Sequence, residues 1–555
     1  MEKKFATLIP PNSKTVLEIV SEDLNIANDS KLKEYFLRIN PDCNYIITNT
    51  LDIKSDLVDV IVFDSTSFAT LPLKKVTELI NRASDHLKDE GLAIFLLENL
   101  SYVDNIMALL NGDAPTVRAT MIFEELSTAI DDSKLSIIKT LHSARETSVK
   151  SAILEIANVE LNVTHFIACA MKNNAASNLQ NTLIQTYLGE VLVCAGIRVN
   201  DPNNFMATRP GVYINNTKSG EQLALSNNSK YSNKIFINQR VSADTLDMGI
   251  KLFESISSHN YLFIEEMDDN PILWRKKYED TQFINFVGVH AVQTSTKPLA
   301  EIFEQFNPNV KIFENQLKEL PPPRDFAEEM AKHQPITIFF GALNRDNDFY
   351  EILPAINKIT AEYGDNILLK VIAKTELFDK IETPNKVFVG KREVYNGQYV
   401  PYDIYEQELR TTHISLLPLR DNVFNRSKSD LKFIECAGSG SVVLASPTVY
   451  SNTVKDGETG FIYRNVEEFY NKLKILINNP NKRRDMAEKA YDYVKHNRLL
   501  SQHYEERWDW YNELIAKLPE LNKETRKRIE ILKDKGYKAF GSLGNVDEKV
   551  DVFTN

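Results

Sequence analysis

Short apolar runs alternate with polar, helix-forming segments along most of the chain. In the C-terminal half, five apolar runs have the length and composition of buried strands, namely residues 335–342, 367–373, 386–389, 414–418 and 442–445. The segments between and after them predict helices, namely residues 347–363, 402–409, 430–437, 465–478 and 481–495. Strands that alternate with helices in this way predict a parallel, doubly wound α/β sheet.

The first 120 residues show the same alternation. Four apolar runs predict strands with helices between them, namely residues 15–20, 45–49, 58–64 and 91–97. Residues 121–132 and 134–146 then predict two helices that join this part to the next. We therefore expect a further Rossmann-like sheet at the N-terminus.

Turn-rich sequence separates four more candidate strands in the middle of the chain, namely residues 191–194, 234–237, 261–264 and 284–292. After the last run, Thr294 or Ser295 is predicted to cap a helix. Residues 321–323 are three consecutive prolines and predict a hinge between domains.

These patterns divide the chain of 555 residues into five parts. The parts are a first α/β domain at 1–120, a helical linker at 121–160, a second α/β domain at 161–330, a third at 331–500, and C-terminal helices at 501–555. The first C-terminal helix is rich in aromatic residues and is expected to cross back onto the second α/β domain.

Composition and charge narrow the function classes. The net charge of −12 and the lack of a long basic stripe argue against nucleic acid as a partner. No apolar run reaches the roughly 18 residues of a membrane span, and the first residues lack the apolar core of a signal peptide. The four cysteines have no metal-type spacing. We therefore expect a cytoplasmic protein with no integral membrane segment.

Residues 412–460 carry the strongest chemical signal. A strand leads into a polar loop with Asn425 and Lys428, then into a helix with Glu435, a Gly-Ser-Gly turn at 438–440 and another strand. In a parallel sheet this order places a phosphate-and-ribose site at the carboxyl edge. Glu435 can accept hydrogen bonds from both ribose hydroxyls, and Lys428 can offset the charge on a diphosphate leaving group.

This order resembles the donor site of GT-B glycosyltransferases, in particular those of family 4. Residues 442–446 and 456–460 match the strand and the acidic-Gly-x-x-Gly turn that follow the donor helix in that family. Glu435 matches the second of two family glutamates eight positions apart, but Ser427 stands at the first position. The departure removes a carboxylate that would otherwise neutralise Lys428.

The resemblance implies the GT-B architecture of two Rossmann-like domains facing a cleft, here preceded by a third such domain. It implies a nucleotide-diphosphate sugar as donor, retention of configuration, no cofactor and no bound metal. The residues expected to take part in catalysis are Lys428, Arg345 and His290. The residues expected to bind the donor are Gly341, Asn344, Arg345, Asn425, Lys428, Glu435, Ser439 and Gly440.

Polar residues near strand ends in the middle of the chain are candidates for the acceptor side. These candidates are Arg198, Arg240, Asp268 and Asp269. The acidic pair also fits an ordinary turn, so we do not expect it to hold a metal. The acceptor is expected to be a hydroxyl of a protein, a glycan or a small molecule.

The order of strands in the first 120 residues resembles a class I methyltransferase. That family follows its first strand with a glycine-rich loop that lets the backbone approach the cofactor, whereas residues 21–24 read Ser-Glu-Asp-Leu here. Two negative side chains would meet the cofactor. We therefore expect a retained fold that binds no adenosylmethionine.

Three functions remain open at this point. The first is sugar transfer from a nucleotide-diphosphate donor. The second is an active methyltransferase whose C-terminal half only binds carbohydrate, which the glycine-free loop disfavours. The third is a non-catalytic scaffold in a glycan assembly complex. Binding of a nucleotide diphosphate separates the first two functions, and donor turnover separates the first from the third.

Overall fold

A computed structural model describes residues 5–20, 30–49, 57–64, 67, 71–98, 122–144, 163–189, 193–325, 335–341, 346–372, 375–390 and 400–544. The chain forms two compact units. The first unit comprises residues 1–183, 203–214 and 228–233, and the second comprises residues 184–202, 215–227 and 234–555.

The first sheet has six strands among the described residues, in the order β2-β1-β3-β4-β6-β5. The strands are β1 (Thr15–Ile19), β2 (Asn44–Thr48), β3 (Val58–Phe63), β4 (Leu87–Glu98), β5 (Leu135–Ala144) and β6 (Val163–Lys172). The first four pair in parallel, whereas β6 lies antiparallel to both β4 and β5. The four strands predicted in the first 120 residues are confirmed.

Helices cover both faces of this sheet because the inner strands are apolar on both faces. The helices are α1 (Lys31–Ile39), α2 (Leu73–Ser84), α3 (Phe123–Asp131) and α4 (Asn173–Ser177). Leu17 and Phe63 pack with α2 and α3 in one buried cluster. Val16 and Val60, which point the other way, pack with α1 in a second cluster.

The helix predicted at residues 134–146 is wrong, because residues 135–144 form strand β5. This segment is rich in β-branched residues such as Ile137 and Ile138, which suit a strand. Pairing with β6 along its whole length then decides the structure. The first sheet therefore continues past the predicted boundary at residue 120. The predicted glycine-free loop at residues 21–24 lies outside the described residues.

The second sheet has the order β12-β11-β10-β9-β7-β8. Its strands are β7 (Thr182–Leu188), β8 (Val212–Lys218), β9 (Asn233–Gln239), β10 (Leu262–Glu266), β11 (Ala291–Thr294) and β12 (Val310–Ile312). Strands β9 to β12 run parallel. The accompanying helices are α5 (Val193–Ala195), α6 (Asp201–Met206), α7 (Leu246–Ser258), α8 (Arg275–Asp280), α9 (Ile284–Val287) and α10 (Lys297–Phe303). A π-helical turn at Gly196–Asn200 joins α5 to α6.

Two strand predictions in this region are wrong in part. The described residues of the run 191–194 lie in helix α5, and the first half of the run 284–292 forms helix α9. Short, continuously apolar runs have no periodicity that separates a buried helix from a buried strand. Strand β11 begins only at Ala291.

The third sheet is parallel throughout, with the order β15-β14-β13-β16-β17-β18. Its strands are β13 (Ile336–Gly341), β14 (Ile367–Ile372), β15 (Lys386–Phe388), β16 (Ile414–Leu417), β17 (Val442–Ala445) and β18 (Phe461–Ile462). Its helices are α11 (Asp346–Tyr350), α12 (Leu353–Tyr363), α13 (Thr375–Asp379), α14 (Tyr402–Arg410), α15 (Leu431–Gly438), α16 (Pro447–Tyr450), α17 (Val466–Asn478) and α18 (Pro480–Asn497). All five strands predicted in this half are confirmed. The single helix predicted at 347–363 is divided, and Pro354 lies in the first turn of α12.

Two long C-terminal helices, α19 (Leu500–Ala516) and α20 (Leu518–Lys535), pack on the elements of the second sheet. The Tyr511 hydroxyl donates to Gln293 on β11 at 2.8 Å. Arg528 donates to the carbonyls of Val287 and Val289. None of the described helices has both the length and the apolar character needed to cross a membrane.

The predicted fold class is confirmed. The protein is α/β, with three six-stranded and mostly parallel sheets among its described residues. Two of these sheets belong largely to the second unit, as expected for a GT-B enzyme. In the third sheet the strand order reverses between β13 and β16, and ligands of open α/β sheets bind at such switch points.

Candidate active site

Helix α15 presents Glu435 near the carboxyl edge of the third sheet. The helix lies between β16 and β17 in the chain, and it buries Phe433, Ile434 and Ala437 in the core of this domain. Gly440 then adopts a φ of 74°, which side-chain-bearing residues rarely adopt, and turns the chain into β17. The predicted Gly-Ser-Gly turn thus fixes where α15 ends and how Glu435 is placed.

The Glu435 carboxylate is buried and accepts two hydrogen bonds from tyrosine hydroxyls of α14. The Tyr402 hydroxyl donates to Oε1 at 3.1 Å, and the Tyr405 hydroxyl donates to Oε2 at 2.9 Å. Burial raises the pKa of the Glu435 carboxyl, and Lys432 and the two hydroxyls oppose that rise. Each carboxylate oxygen keeps a second lone pair for another donor.

A cavity of about 350 Å³ opens beside Glu435. Its walls come from the π-helical turn and the start of α6, the segment 316–321, α14 and α15, and its ionisable lining includes Asp201, Lys318, Glu319, Glu406 and Glu435. Burial raises the pKa of the Asp201 carboxyl to about 6. Because carboxylates outnumber cations here, the cavity repels phosphate groups and suits neutral hydroxyl groups instead.

Lys428 pairs with a carboxylate from the second sheet. Its Nζ lies 2.5 Å from Oδ1 of Asp269, and it also lies 4.3 Å from the centre of the Phe424 ring. Asp269 binds Arg240 at 2.6 Å, and Arg240 binds Asp268 at 2.7 Å. We call these four residues, Arg240, Asp268, Asp269 and Lys428, the ion cluster.

The ion cluster brings together four residues that the sequence placed in two separate sites. It also corrects one expectation, because Asp269 supplies the neutralising carboxylate that the change to Ser427 was thought to remove. Asp269 is about 160 positions away in sequence, so no local pattern indicates this pairing. The carboxylates of Asp268 and Asp269 bind cationic side chains in this structure.

The loop before α15 is held by further contacts from the second sheet and its neighbours. Asn270 donates to the Ser427 hydroxyl at 3.0 Å, and Thr296 donates to the Ser427 carbonyl at 3.0 Å. Asn315 donates to Ser429 at 2.8 Å. Asp430 forms a bidentate ion pair with Arg498 at 2.6 and 2.8 Å. The position of Lys428 is therefore set by elements outside its own domain.

Asn425 was predicted to bind the donor, but its side-chain amide hydrogen-bonds to protein groups that hold the loop in place. The buried Nδ2 group donates to Asp348 at 3.2 Å and to the carbonyl of Arg420 at 3.0 Å. These contacts use both amide hydrogens. A structural role accounts for the residue in this arrangement.

The other donor-site candidates lie on both sides of Glu435. Ser439 lines the cavity. Gly341 ends β13, and a Cβ there would lie 3.4 Å from Nζ of Lys432. Asn344 and Arg345, predicted to bind the diphosphate, lie outside the described residues.

Lys432 is a site residue that the sequence analysis missed. Its Nζ donates to the carbonyl of Gly341 at 2.9 Å, at the carboxyl end of β13. The signal was available, since Lys432 precedes Glu435 by one helical turn and residues so spaced share a helix face. It places a cation close to the Glu435 carboxylate.

His290 does not lie at the carboxyl edge where it was predicted to touch sugar or acceptor. It precedes β11 and is fully buried. Its Nδ1 accepts from the Phe263 amide at 2.8 Å, and Nε2 lies 3.2 Å from Oδ1 of Asn522. Burial lowers the pKa of His290 to about 4, so the ring is neutral at pH 7 and donates from Nε2. These contacts indicate a structural histidine.

Arg198 was predicted on the acceptor side, but the fold uses its guanidinium internally. It is 1% exposed, and its Nε donates to Glu266 at 2.8 Å. Nη1 donates to Asn315 at 2.9 Å and to the Phe313 carbonyl at 2.5 Å. The arginine therefore links the π-helical turn to β10 and to the segment after β12.

Residues 371–512 match the family described as "Glycosyl transferase-like". The matched segment contains α14, α15, Lys428, Glu435 and the cavity wall on that side. It supports assignment of the protein as a glycosyltransferase-type enzyme. No curated protein sequence shows significant similarity to the chain.

Three solved structures share a distant likeness. A point mutant of TarM from S. aureus, in complex with fondaparinux, α-GlcNAc-glycerol and UDP, is 14% identical over 50% of this chain and 55% of its own, with a TM-score of 0.35. Sucrose-phosphate synthase from Thermosynechococcus elongatus is 11% identical over 61% of this chain and 100% of its own, with a TM-score of 0.41. HepE of Anabaena, in complex with UDP and glucose, is 10% identical over 60% and 98%, with a TM-score of 0.40. The chain thus spans about half of TarM, and likenesses this weak add nothing to the family match.

Proposed function

We propose that the protein is a glycosyltransferase of the family 4 type, which moves a sugar from a nucleotide-diphosphate donor to a hydroxyl acceptor. In this proposal the reaction retains anomeric configuration and uses no bound metal. One observation carries it: a buried glutamate on the helix between β16 and β17 faces a cavity, within the segment that matches a glycosyltransferase-like family.

Glu435 binds the ribose of the donor in this proposal. Its carboxylate accepts one hydroxyl hydrogen bond on each oxygen from the tyrosines of α14, and ribose hydroxyls can bind beside these bonds or replace the one from Tyr402. A ribose diol supplies two donors at the spacing of one carboxylate. Hydrogen bonds to an ionised carboxylate are roughly twice as strong as neutral ones, so this contact would fix the nucleoside.

The diphosphate lies on the cationic side of the site in this proposal, away from the acidic cavity. Lys428 and Arg345 would bind the phosphates, and Lys432, one helical turn before Glu435, would add a third cation. Gly341, Asn344 and the Ser439–Gly440 turn complete the donor surface. Asp269 competes with the diphosphate for Lys428 in this proposal.

Catalysis then consists of positioning and electrostatic stabilisation. The bond between the anomeric carbon and the diphosphate breaks, and the leaving oxygen takes the electron pair. Lys428 and Arg345 stabilise the charge that develops there. The acceptor hydroxyl of a protein, a glycan or a small molecule forms the new bond on the side of Arg240, Asp268 and Asp269, and its proton passes to the leaving phosphate oxygen.

The first unit is proposed to be a methyltransferase-like fold without its cofactor. The arrangement of β1 to β4 as parallel strands with helices on both faces supports a Rossmann-like ancestry. Its role in this proposal is structural or concerns recognition of the acceptor.

Turnover of a panel of nucleotide-diphosphate sugars tests the proposal. Purified protein is incubated with each donor, and release of the nucleoside diphosphate is measured with and without candidate acceptors. We expect release from one donor type, and its loss in Glu435→Ala. Binding without any release would favour a non-catalytic scaffold, and release that survives Glu435→Ala would remove the glutamate from the site.

A further inference from the structure

The two tyrosines that contact Glu435 differ in how firmly they are held. The Tyr405 ring lies 5.9 Å from the Phe339 ring and 5.9 Å from the Tyr402 ring, and Nζ of Lys432 lies 6.0 Å from its centre. Phe339 belongs to β13 and is buried. Tyr405 is therefore wedged between the sheet and α15, with its hydroxyl fixed on Oε2 of Glu435.

Tyr402 lies at the other oxygen of the same carboxylate, on the cavity side. It lines the cavity together with Glu406, Glu435 and Ser439. Its hydroxyl donates to Oε1 at the longer distance of 3.1 Å. A ligand in the cavity meets this oxygen and this hydroxyl first.

We propose that Tyr405 is a positioning residue that holds Glu435 for recognition of a ribose, and that the Tyr402 hydroxyl marks the place a ribose hydroxyl takes. The inference rests on the proposed nucleotide-sugar donor. It adds a source of specificity: Tyr405 makes the site prefer ribonucleotides to 2′-deoxyribonucleotides.

The physical reason lies in the geometry of a buried carboxylate. With Oε2 fixed by a hydroxyl on a wedged ring, the plane of the carboxylate is fixed and Oε1 stays directed at the cavity. Without that hydroxyl, Oε2 is a buried acceptor without its partner, and a rotated or protonated carboxyl becomes favourable. A carboxyl in either state no longer distinguishes a ribose diol from a deoxyribose.

Calorimetry with paired ligands tests this inference. The probes are UDP, GDP and ADP and their 2′-deoxy counterparts, and the readout is the ratio of the two Kd values for the base that binds. For wild-type protein we expect the ribonucleotide to bind at least about tenfold more tightly, as one charge-assisted hydrogen bond predicts. Tyr405→Phe should bring the ratio close to one by weakening ribonucleotide binding alone.

Two controls separate this role from a general effect on folding. Tyr402→Phe removes the hydroxyl whose place the ribose takes, so it should tighten nucleotide binding and keep the ratio. Tyr463→Phe removes the hydroxyl of another buried tyrosine of this domain, packed 5.0 Å from the Phe469 ring, and should change nothing. If Tyr405→Phe fails to fold, Phe339→Leu, which removes the ring that packs on Tyr405, should give an intermediate ratio.

The outcomes distinguish the inference from the function on which it rests. A wild-type ratio in Tyr405→Phe, or in Phe339→Leu if that variant must replace it, overturns the inference and leaves the proposed function standing. So does a loss of discrimination in Tyr402→Phe alone. If wild-type protein binds none of the nucleoside diphosphates, the proposed function fails and the inference fails with it.

Discussion

At the scale of single residues, the candidate site combines a buried carboxyl group, Glu435, with a partly exposed lysine, Lys428. Burial favours the protonated form of the Glu435 carboxyl, and two hydroxyls and Lys432 favour the ionised form. Lys428 remains a quarter exposed and is paired with Asp269. The candidate site thus has a carboxylate held by two tyrosine hydroxyls and a lysine paired with Asp269.

Lys428→Ala should lower kcat by roughly 100-fold or more, with a smaller change in KM, because the lysine stabilises charge that develops on the leaving diphosphate. Steady-state kinetics with the accepted donor measure both constants. Arg426→Ala is the matched control, since this cation of the same loop is exposed and pairs with Asp421. An unchanged kcat in Lys428→Ala, or an equal loss in the control, would contradict the assignment.

Asp201 should make the protein less stable as the pH rises from about 4 to 6. Its pKa in the folded state is about 6, against an ordinary value of 3.8, mainly because it is buried. A raised pKa means that the folded state holds the proton more tightly, so the stability present at low pH is lost as the carboxyl ionises. The loss is on the order of 3 kcal/mol.

Urea unfolding at pH 4, 5, 6 and 7 measures this effect for wild type and for Asp201→Asn. The difference in free energy of unfolding between the two proteins should grow in favour of the asparagine variant up to about pH 6 and then stay constant. Asp403→Asn, which removes an exposed carboxylate of α14, should follow wild type. Parallel curves for wild type and Asp201→Asn would show that the buried carboxyl does not titrate in this range.

Residue identities in the donor segment were predictable because the chemistry and the local spacing agree. Glu435 and Lys428 stand out from the order of strand, loop, helix and glycine turn. Their partners did not, because Tyr402, Tyr405 and Asp269 belong to other segments and only folding brings them near. The position of His290 was also mispredicted, because a polar residue next to an apolar run can lie at either end of the strand.

At the scale of elements, the loop that leads into α15 connects the second and third sheets. Three consecutive residues, 427 to 429, bind Asn270, Asp269 and Asn315, which belong to the region of the second sheet. The loop is therefore in direct contact with elements of the second sheet, on the proposed acceptor side. Contacts of this kind couple the two sheets, because moving one element requires breaking several polar bonds at once.

Asp269→Asn should tighten binding of a nucleoside diphosphate by about fivefold, since Lys428 is then free of a competing carboxylate, a gain of about 1 kcal/mol. The measurement is a calorimetric Kd at low and moderate salt. Asp268→Asn is the matched control, because Asp268 pairs with Arg240, whereas Lys428 pairs with the adjacent Asp269. Weaker binding in Asp269→Asn, or the same gain in the control, would contradict competition for the lysine.

Elements with a clear hydrophobic periodicity or with flanking glycine turns were predicted well. Elements whose structure depends on pairing with distant segments were not. The strands and helices of the third sheet follow from alternating apolar runs and glycine turns. Residues 135–144 have some helical pattern, but pairing with β6 makes them a strand. The run 284–292 contains a helix and a strand because its apolar residues are buried in either form.

At the scale of the whole molecule, three α/β sheets share one chain, and the candidate donor site belongs to the last of them. The two sheets differ in strand order: the order reverses between β13 and β16 in the third sheet, and between β7 and β9 in the second. Three successive sheets were predictable from the alternation of apolar runs. The boundary between the first and second was not, because β5 lies within the predicted linker and β6 within the predicted second domain, yet both strands belong to the first sheet.

The first unit should bind no adenosylmethionine with a Kd below about 100 μM, a limit that corresponds to about 5 kcal/mol of favourable contact. The reason is the Ser-Glu-Asp-Leu sequence at residues 21–24, where close approach of the cofactor needs glycine. Calorimetric titration of the full chain measures it, with a nucleoside diphosphate as the positive control. Binding at tens of micromolar would restore methyl transfer as an activity of this unit.

The central claim is that Glu435 anchors the ribose of a nucleotide donor, and one titration tests it most directly. A nucleoside diphosphate of the accepted base is titrated into wild-type protein and into Glu435→Ala, with Glu458→Ala, an exposed acid of the later turn, as the control. We predict binding to wild type and to the control, and a Kd about 10- to 100-fold weaker in Glu435→Ala, equivalent to roughly 1.5 to 3 kcal/mol. Equal affinity in all three proteins, or no binding to wild type, would contradict the claim.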